Sequence, residues 1–263
     1  MRQTVKTENV VESLLFPRLR GLSKASLEEM KILADAVPYF FQGIVEQQKQ
    51  KFGGLTYFNT IEEVVEETKS RFGVDKVNIA GHSMGGLKII DYLLDHSHNI
   101  DTCVTVATPF EGTPLALLNP IAYLFGVSPV TAQQMLGIGY LEELKKYFRD
   151  HYPLDVKFKN VIGNLDEIVF PWNTSLVDFA GNDYDNIDEY VLEYTMHANA
   201  FDCSFTYGLL KDLLETSDKP LVVTHGYTMN GNYFNRFFKY LEVMNPELLT
   251  RVCPVSYDYD EKM

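Results

Sequence analysis

Residues 77 to 86 read Val-Asn-Ile-Ala-Gly-His-Ser-Met-Gly-Gly, a short apolar run passing directly into the pentapeptide Gly81-His82-Ser83-Met84-Gly85. A Gly-x-Ser-x-Gly turn between a strand and a helix holds its serine in a strained backbone conformation. The chain crowds itself there unless very small residues stand two before and two after the serine. Gly81 and Gly85 meet that demand. Residues 76–80 read as a buried strand, and residues 86–94 carry Leu87, Ile89, Ile90, Leu93 and Leu94 at helical spacing. The pattern therefore calls for a strand–turn–helix unit with Ser83 at its apex as candidate nucleophile, against the plainer alternative of a glycine-rich turn before a core helix.

The rest of the chain suits such a unit. With 263 residues and 46% hydrophobic content it is long enough to bury one sizeable core, and an α/β fold reaches this length without splitting. After about residue 55 strand and helix patterns alternate, as in a mostly parallel sheet covered by helices on both faces. A helix is expected over residues 60–72, opened by a Thr60-x-x-Glu63 capping box, and strands over 102–107, 156–162 and 187–195. Each of these strands ends near a polar residue, on the side where open parallel sheets carry their sites.

Charge narrows the partners. Twenty-three basic against 36 acidic residues give −13, which disfavours nucleic acid and anionic membrane surfaces. No apolar run approaches the roughly 18 residues of a membrane span, and residues 1–6 lack the apolar core of a signal peptide. The expectation is a cytoplasmic protein with free thiols at Cys103, Cys203 and Cys253, which are odd in number and lack zinc-like spacing.

Ser83, Asp166 and His197 occur in the order nucleophile, acid, base. Asp166 competes with Asp183, Asp185 and Asp188, which lie in an Asn/Asp-rich stretch that reads as a solvated loop. His197 competes with five other histidines. His82 lies inside the pentapeptide and reads as local packing, and His225 as ordering a loop. His96 and His98 fall at a helix C-terminus, where His-x-His is a weak metal signal, and His151 reads as surface. The reading calls for no metal and no cofactor.

Four places together make the chain resemble the lipase and esterase branch of the α/β-hydrolase family. They are Gly81 to Gly86, Ala107-Thr108-Pro109-Phe110-Glu111-Gly112-Thr113, Gly163-Asn164-Leu165-Asp166-Glu167-Ile168-Val169-Phe170-Pro171, and His197 after a strand. Members of that family similarly carry a Thr-Pro-x-x-Gly turn after the strand following the nucleophile, and an Asp followed by Val and Pro. The resemblance covers most of residues 57–216.

One family feature stands in the wrong place. The family needs a His-Gly turn after an early central strand, because the backbone N–H just beyond it forms half of an oxyanion hole. No strand-like run ends in such a turn upstream of Ser83, yet Leu221-Val222-Val223-Thr224-His225-Gly226-Tyr227 has this form near the other end, followed by a helix over 233–241 and a strand-like run over 251–257. The resemblance implies a circular permutation, with residues 220–263 as the relocated opening segment. The alternative is an ordinary added edge strand, which would place residues 221–224 away from the strand before Ser83.

The implied chemistry is acyl transfer from an ester with a hydrophobic moiety through Ser83. His197 would be general base, Asp166 its orienting acid, and the backbone N–H groups of Met84 and Tyr227 the oxyanion donors. His225, Gly226, Phe110 and Leu115 are the positions expected beside substrate. Residues 113–155 and 1–55 carry apolar helix-like stretches expected to form a cap or insert. An acyltransferase or thioesterase would use the same residues, and a silent binding protein on this fold would use none of them chemically.

Overall fold

Alternating side chains sort the central strands between two apolar layers. In the computed structural model, residues 2–5, 60–112, 146, 155–169, 172–175, 187–226 and 231–255 are described. Tyr227, Leu115 and the expected cap stretches lie outside them, apart from a few residues at their margins. Ile79, Cys103, Phe158 and Val222 face one layer, while Ala80, Val104, Val161, Leu221 and Val223 face the other. That period of two is what a strand imposes when both faces are covered.

The strands are β1 (Arg2–Val5), β2 (Val77–His82), β3 (Ile100–Val106), β4 (Lys157–Gly163), β5 (Ile187–Leu192), β6 (Leu221–Thr224) and β7 (Val252–Pro254). They form one sheet in the order β1-β5-β4-β3-β2-β6-β7, and every pairing is parallel. The fold is that of an α/β hydrolase. The interior strands fall within a few residues of the sequence expectation. β5 stops at Leu192, short of residue 195, because the chain turns at Tyr194, whose φ of 57° is left-handed and ends the extended run. The edge strand β1 falls inside the stretch expected to be helical cap; four residues at a chain end carry too little periodicity to announce a strand.

Helices α1 (Ile61–Phe72) and α2 (Met84–His96) supply Ile61, Val64, Val65, Leu87, Ile89, Ile90 and Leu93 to the first layer. Helices α3 (His197–Phe201), α4 (Ser204–Thr216) and α5 (Asn235–Met244) supply Phe201, Leu210, Leu214, Phe237 and Leu241 to the second. α1 starts as read, with Thr60 Oγ1 accepting from the Glu63 N–H and the Glu63 carboxylate accepting from the Thr60 N–H.

β6 is not at the edge. It pairs with β2 from Asn78 against Leu221 to Gly81 against Thr224, and β7 lies beyond it. From β2, the chain proceeds through β3, β4 and β5 to one side of the sheet, then returns to lay β6 and β7 on the other. No helix among the described residues is long and apolar enough to cross a membrane, and the three cysteines are free thiols.

Candidate active site

β2 delivers Ser83 at φ 56° and ψ −128°, a conformation that non-glycine residues adopt only at a cost of order 1–3 kcal/mol. Hydrogen bonds hold it there: the Ser83 N–H donates to the Val106 carbonyl at 2.8 Å, and the Ser83 carbonyl accepts from the Gly86 N–H at 3.0 Å. Ser83 is the N-cap of α2, yet its hydroxyl makes no capping bond. The first turn of α2 lies against the end of β6 so closely that a Cβ on Gly85 would stand 2.6 Å from the His225 carbonyl oxygen. Gly81 is buried inside β2.

The loop after β4 carries Asp166. Its Oδ1 accepts from the N–H groups of Ile168 at 2.9 Å and Val169 at 2.7 Å, which leaves Oδ2 aimed at His197 Nδ1, 2.8 Å away. This carboxylate is fully buried. Because it only accepts, Nδ1 carries the imidazole proton and Nε2 is the basic nitrogen. His197 opens α3, the short helix after β5, and its own N–H donates to Glu167 Oε2 at 3.0 Å. Further bonds lace the two loops: the Leu165 N–H to the Thr195 carbonyl at 3.1 Å, and the Tyr194 N–H to Asn164 Oδ1 at 2.7 Å. Asn164 and Glu167 therefore support the acid and the base. Their standing on either side of Asp166 was the available signal, but their partners lie about 30 residues away.

His82 and His225 flank the serine, both buried. Burial pushes the His82 imidazole well below its usual pKa, with the nearby His197 adding to the effect, and it brings His225 down to about 4. Both are neutral at pH 7. His82 Nε2–H donates to the His197 carbonyl at 3.1 Å, and His225 Nδ1–H donates to the Gly226 carbonyl at 2.9 Å. Gly226 sits directly over the nucleophile: a Cβ there would lie 2.9 Å from Ser83 Cβ and 3.4 Å from Oγ.

The sheet thus brings Ser83, Met84, His225 and Gly226 together at one place and Asp166 with His197 at a second, and His82 spans the two. No hydrogen bond between Ser83 Oγ and His197 is among those of the described residues; in empty active sites this contact is often long and tightens with substrate. Met84 is the first residue of α2, so its N–H has no acceptor within the helix and lies at the positive end of the helix dipole. Phe110 is buried in the core with its ring 6.4 Å from that of Phe158. Among the described residues no group of three or more His, Cys, Asp or Glu side chains is placed to hold a metal.

Comparison with known proteins gives one family: residues 39–167 match "Alpha/beta hydrolase of unknown function (DUF915)". Similar solved structures include a carboxylesterase from Bacillus subtilis, at 12% identity over 63% of this chain and 69% of that one, with a TM-score of 0.40. A Bacillus licheniformis lipase shares 19% identity over 57% and 69%, TM-score 0.43. A monoacylglycerol lipase from Paleococcus ferrophilus shares 14% over 62% and 77%, TM-score 0.38. No curated protein sequence matches.

Proposed function

Since the fold is that of an α/β hydrolase, we propose that the protein is a serine hydrolase of carboxylic esters. The observation that carries this reading is the buried Asp166–His197 bond of 2.8 Å, in a sheet where an elbow serine whose hydroxyl makes no capping bond ends β2, on the far side of β3 from the loop that carries Asp166. His197 Nε2 takes the Ser83 proton as Oγ attacks the ester carbonyl, and Asp166 stabilises the imidazolium that results. The negative oxygen of the tetrahedral intermediate accepts from the N–H of Met84 and that of Tyr227, each such donor contributing on the order of 2.7–4 kcal/mol to the transition state. His197 returns the proton to the departing alcohol. A water, deprotonated in turn by His197, then releases the acid from the acyl-Ser83 enzyme.

Two features favour an uncharged acyl substrate. The histidines beside the nucleophile are neutral, and the net charge of −13 opposes anionic ligands. A p-nitrophenyl ester of a short or medium acyl chain is expected to give a burst of p-nitrophenol followed by slower turnover, and a fluorophosphonate is expected to label Ser83. Ser83→Ala should abolish both while leaving the melting curve in place. Ester turnover retained by that variant would sink the reading, and failure of the wild type to be labelled would favour a binding protein on this fold.

A further inference from the structure

We propose that His82 is a positioning residue, tying the nucleophile's own strand to the catalytic base. This rests on the Ser83–His197–Asp166 reading above. His82 precedes Ser83 by one peptide bond, and its ring lies between two others: that of His197, 4.7 Å away and tilted by 52°, and that of Tyr233, stacked at 5.0 Å and 21°. Phe201 closes a further side, edge-on at 6.0 Å. Its Nε2–H is spent on the His197 carbonyl, whereas Nδ1 is buried with no hydrogen-bond partner.

An apolar ring would fill this space more cheaply, because a buried imidazole nitrogen without a partner carries a desolvation cost. What the imidazole adds is the bond to His197. The other anchors of the base, Asp166 on its ring and Glu167 on its N–H, come from the loop after β4, and β3 separates β4 from β2. Those anchors fix His197 relative to the acid. His82 fixes it relative to Ser83, through one hydrogen bond and one peptide unit. Displacing a reacting group by about 1 Å costs up to about 10²-fold in rate.

Three variants separate a positioning role from simple packing. His82→Phe keeps a ring of similar size but has no donor, whereas His82→Gln carries a side-chain N–H near the Nε2 position. Should the phenylalanine variant fail to fold, His82→Asn, whose amide ends near Nδ1 and falls short of the carbonyl, replaces it. The expected result is a 10- to 100-fold fall in kcat for p-nitrophenyl ester hydrolysis with Phe or Asn, KM within about twofold of wild type, and recovery of most of the loss with Gln. The downfield NMR signal of the His197 Nδ1 proton gives a readout independent of turnover. It should be sharp in the wild type and the Gln variant and broadened in the Phe or Asn variant. Wild-type kcat and an unchanged proton signal in the donor-less variant would overturn the positioning role. Wild-type protein that neither turns over esters nor takes up fluorophosphonate would overturn the hydrolase reading instead, leaving the proton signal to decide on His82.

Discussion

At the scale of single residues, burial keeps uncharged the two histidines that flank Ser83. His225 is completely buried, and its pKa falls from the ordinary 6.5 to about 4. The unfolded chain therefore binds a proton at His225 before the folded one does, so this residue contributes stability that is fully present above pH 6.5 and is lost as pH falls towards 4. At about 1.4 kcal/mol per unit the loss amounts to about 3 kcal/mol. The urea midpoint should decline between pH 6.5 and 5, above the range where carboxylates titrate, and His225→Gln should make that decline shallower, with buried His82, whose imidazole is also held below its usual pKa, carrying the remainder. An equally steep decline in the variant would show that other groups carry it. The placing of Ser83, Asp166 and His197 just beyond strand ends was legible in the sequence because each follows a strand whose apolar run is itself legible. His82 was read as mere packing, since its contacts with His197 and Tyr233 span more than a hundred residues of chain and leave no local pattern.

Among elements, the junction of β6 with the first turn of α2 decides the shape of the site. Two glycines make the close approach there, Gly85 against the carbonyls of Thr224 and His225, and Gly226 against the Ser83 side chain. A methyl group at 226 has nowhere to go, because Ser83 is held by β3 through Val106 and by its own helix. Gly226→Ala should therefore push the turn after β6 outward and, on the proposed reading, cost the reaction one oxyanion donor. A fall in kcat of about 10²-fold is expected, the size of losing one such donor, with little change in thermal stability. Activity near wild type would mean that the turn supplies no donor. The strands at this junction were readable from their valine-rich, doubly buried runs. β1 was not, because Arg-Gln-Thr-Val is polar and its strand character comes only from the free edge of β5 that it pairs with.

For the whole molecule, the informative feature is that spatial order and chain order part company at β6. An added edge strand would have lengthened the sheet at its margin; instead β6 lies against β2, with β7 beyond it. This segment is held by more than its covalent link to α4. Arg251 donates to the Leu214, Ser217 and Lys219 carbonyls at 2.9, 2.6 and 2.7 Å, so the approach to β6 is pinned from the loop before β7 on both sides of exposed Asp218. A chain cut between Asp218 and Lys219, with Met263 joined to Met1, should therefore fold into the same sheet with β6 and β7 synthesised first. β1 and β7 are six strand spacings apart, about 29 Å at about 4.8 Å each, a span matched by a glycine-serine linker of about 30 residues. The rearranged protein is expected to keep the far-ultraviolet dichroism spectrum of the original and to label at Ser83 with fluorophosphonate. If it is soluble and helical but unlabelled, β6 needs its link to α4 in order to dock beside β2, and the sheet does not tolerate this change of chain order.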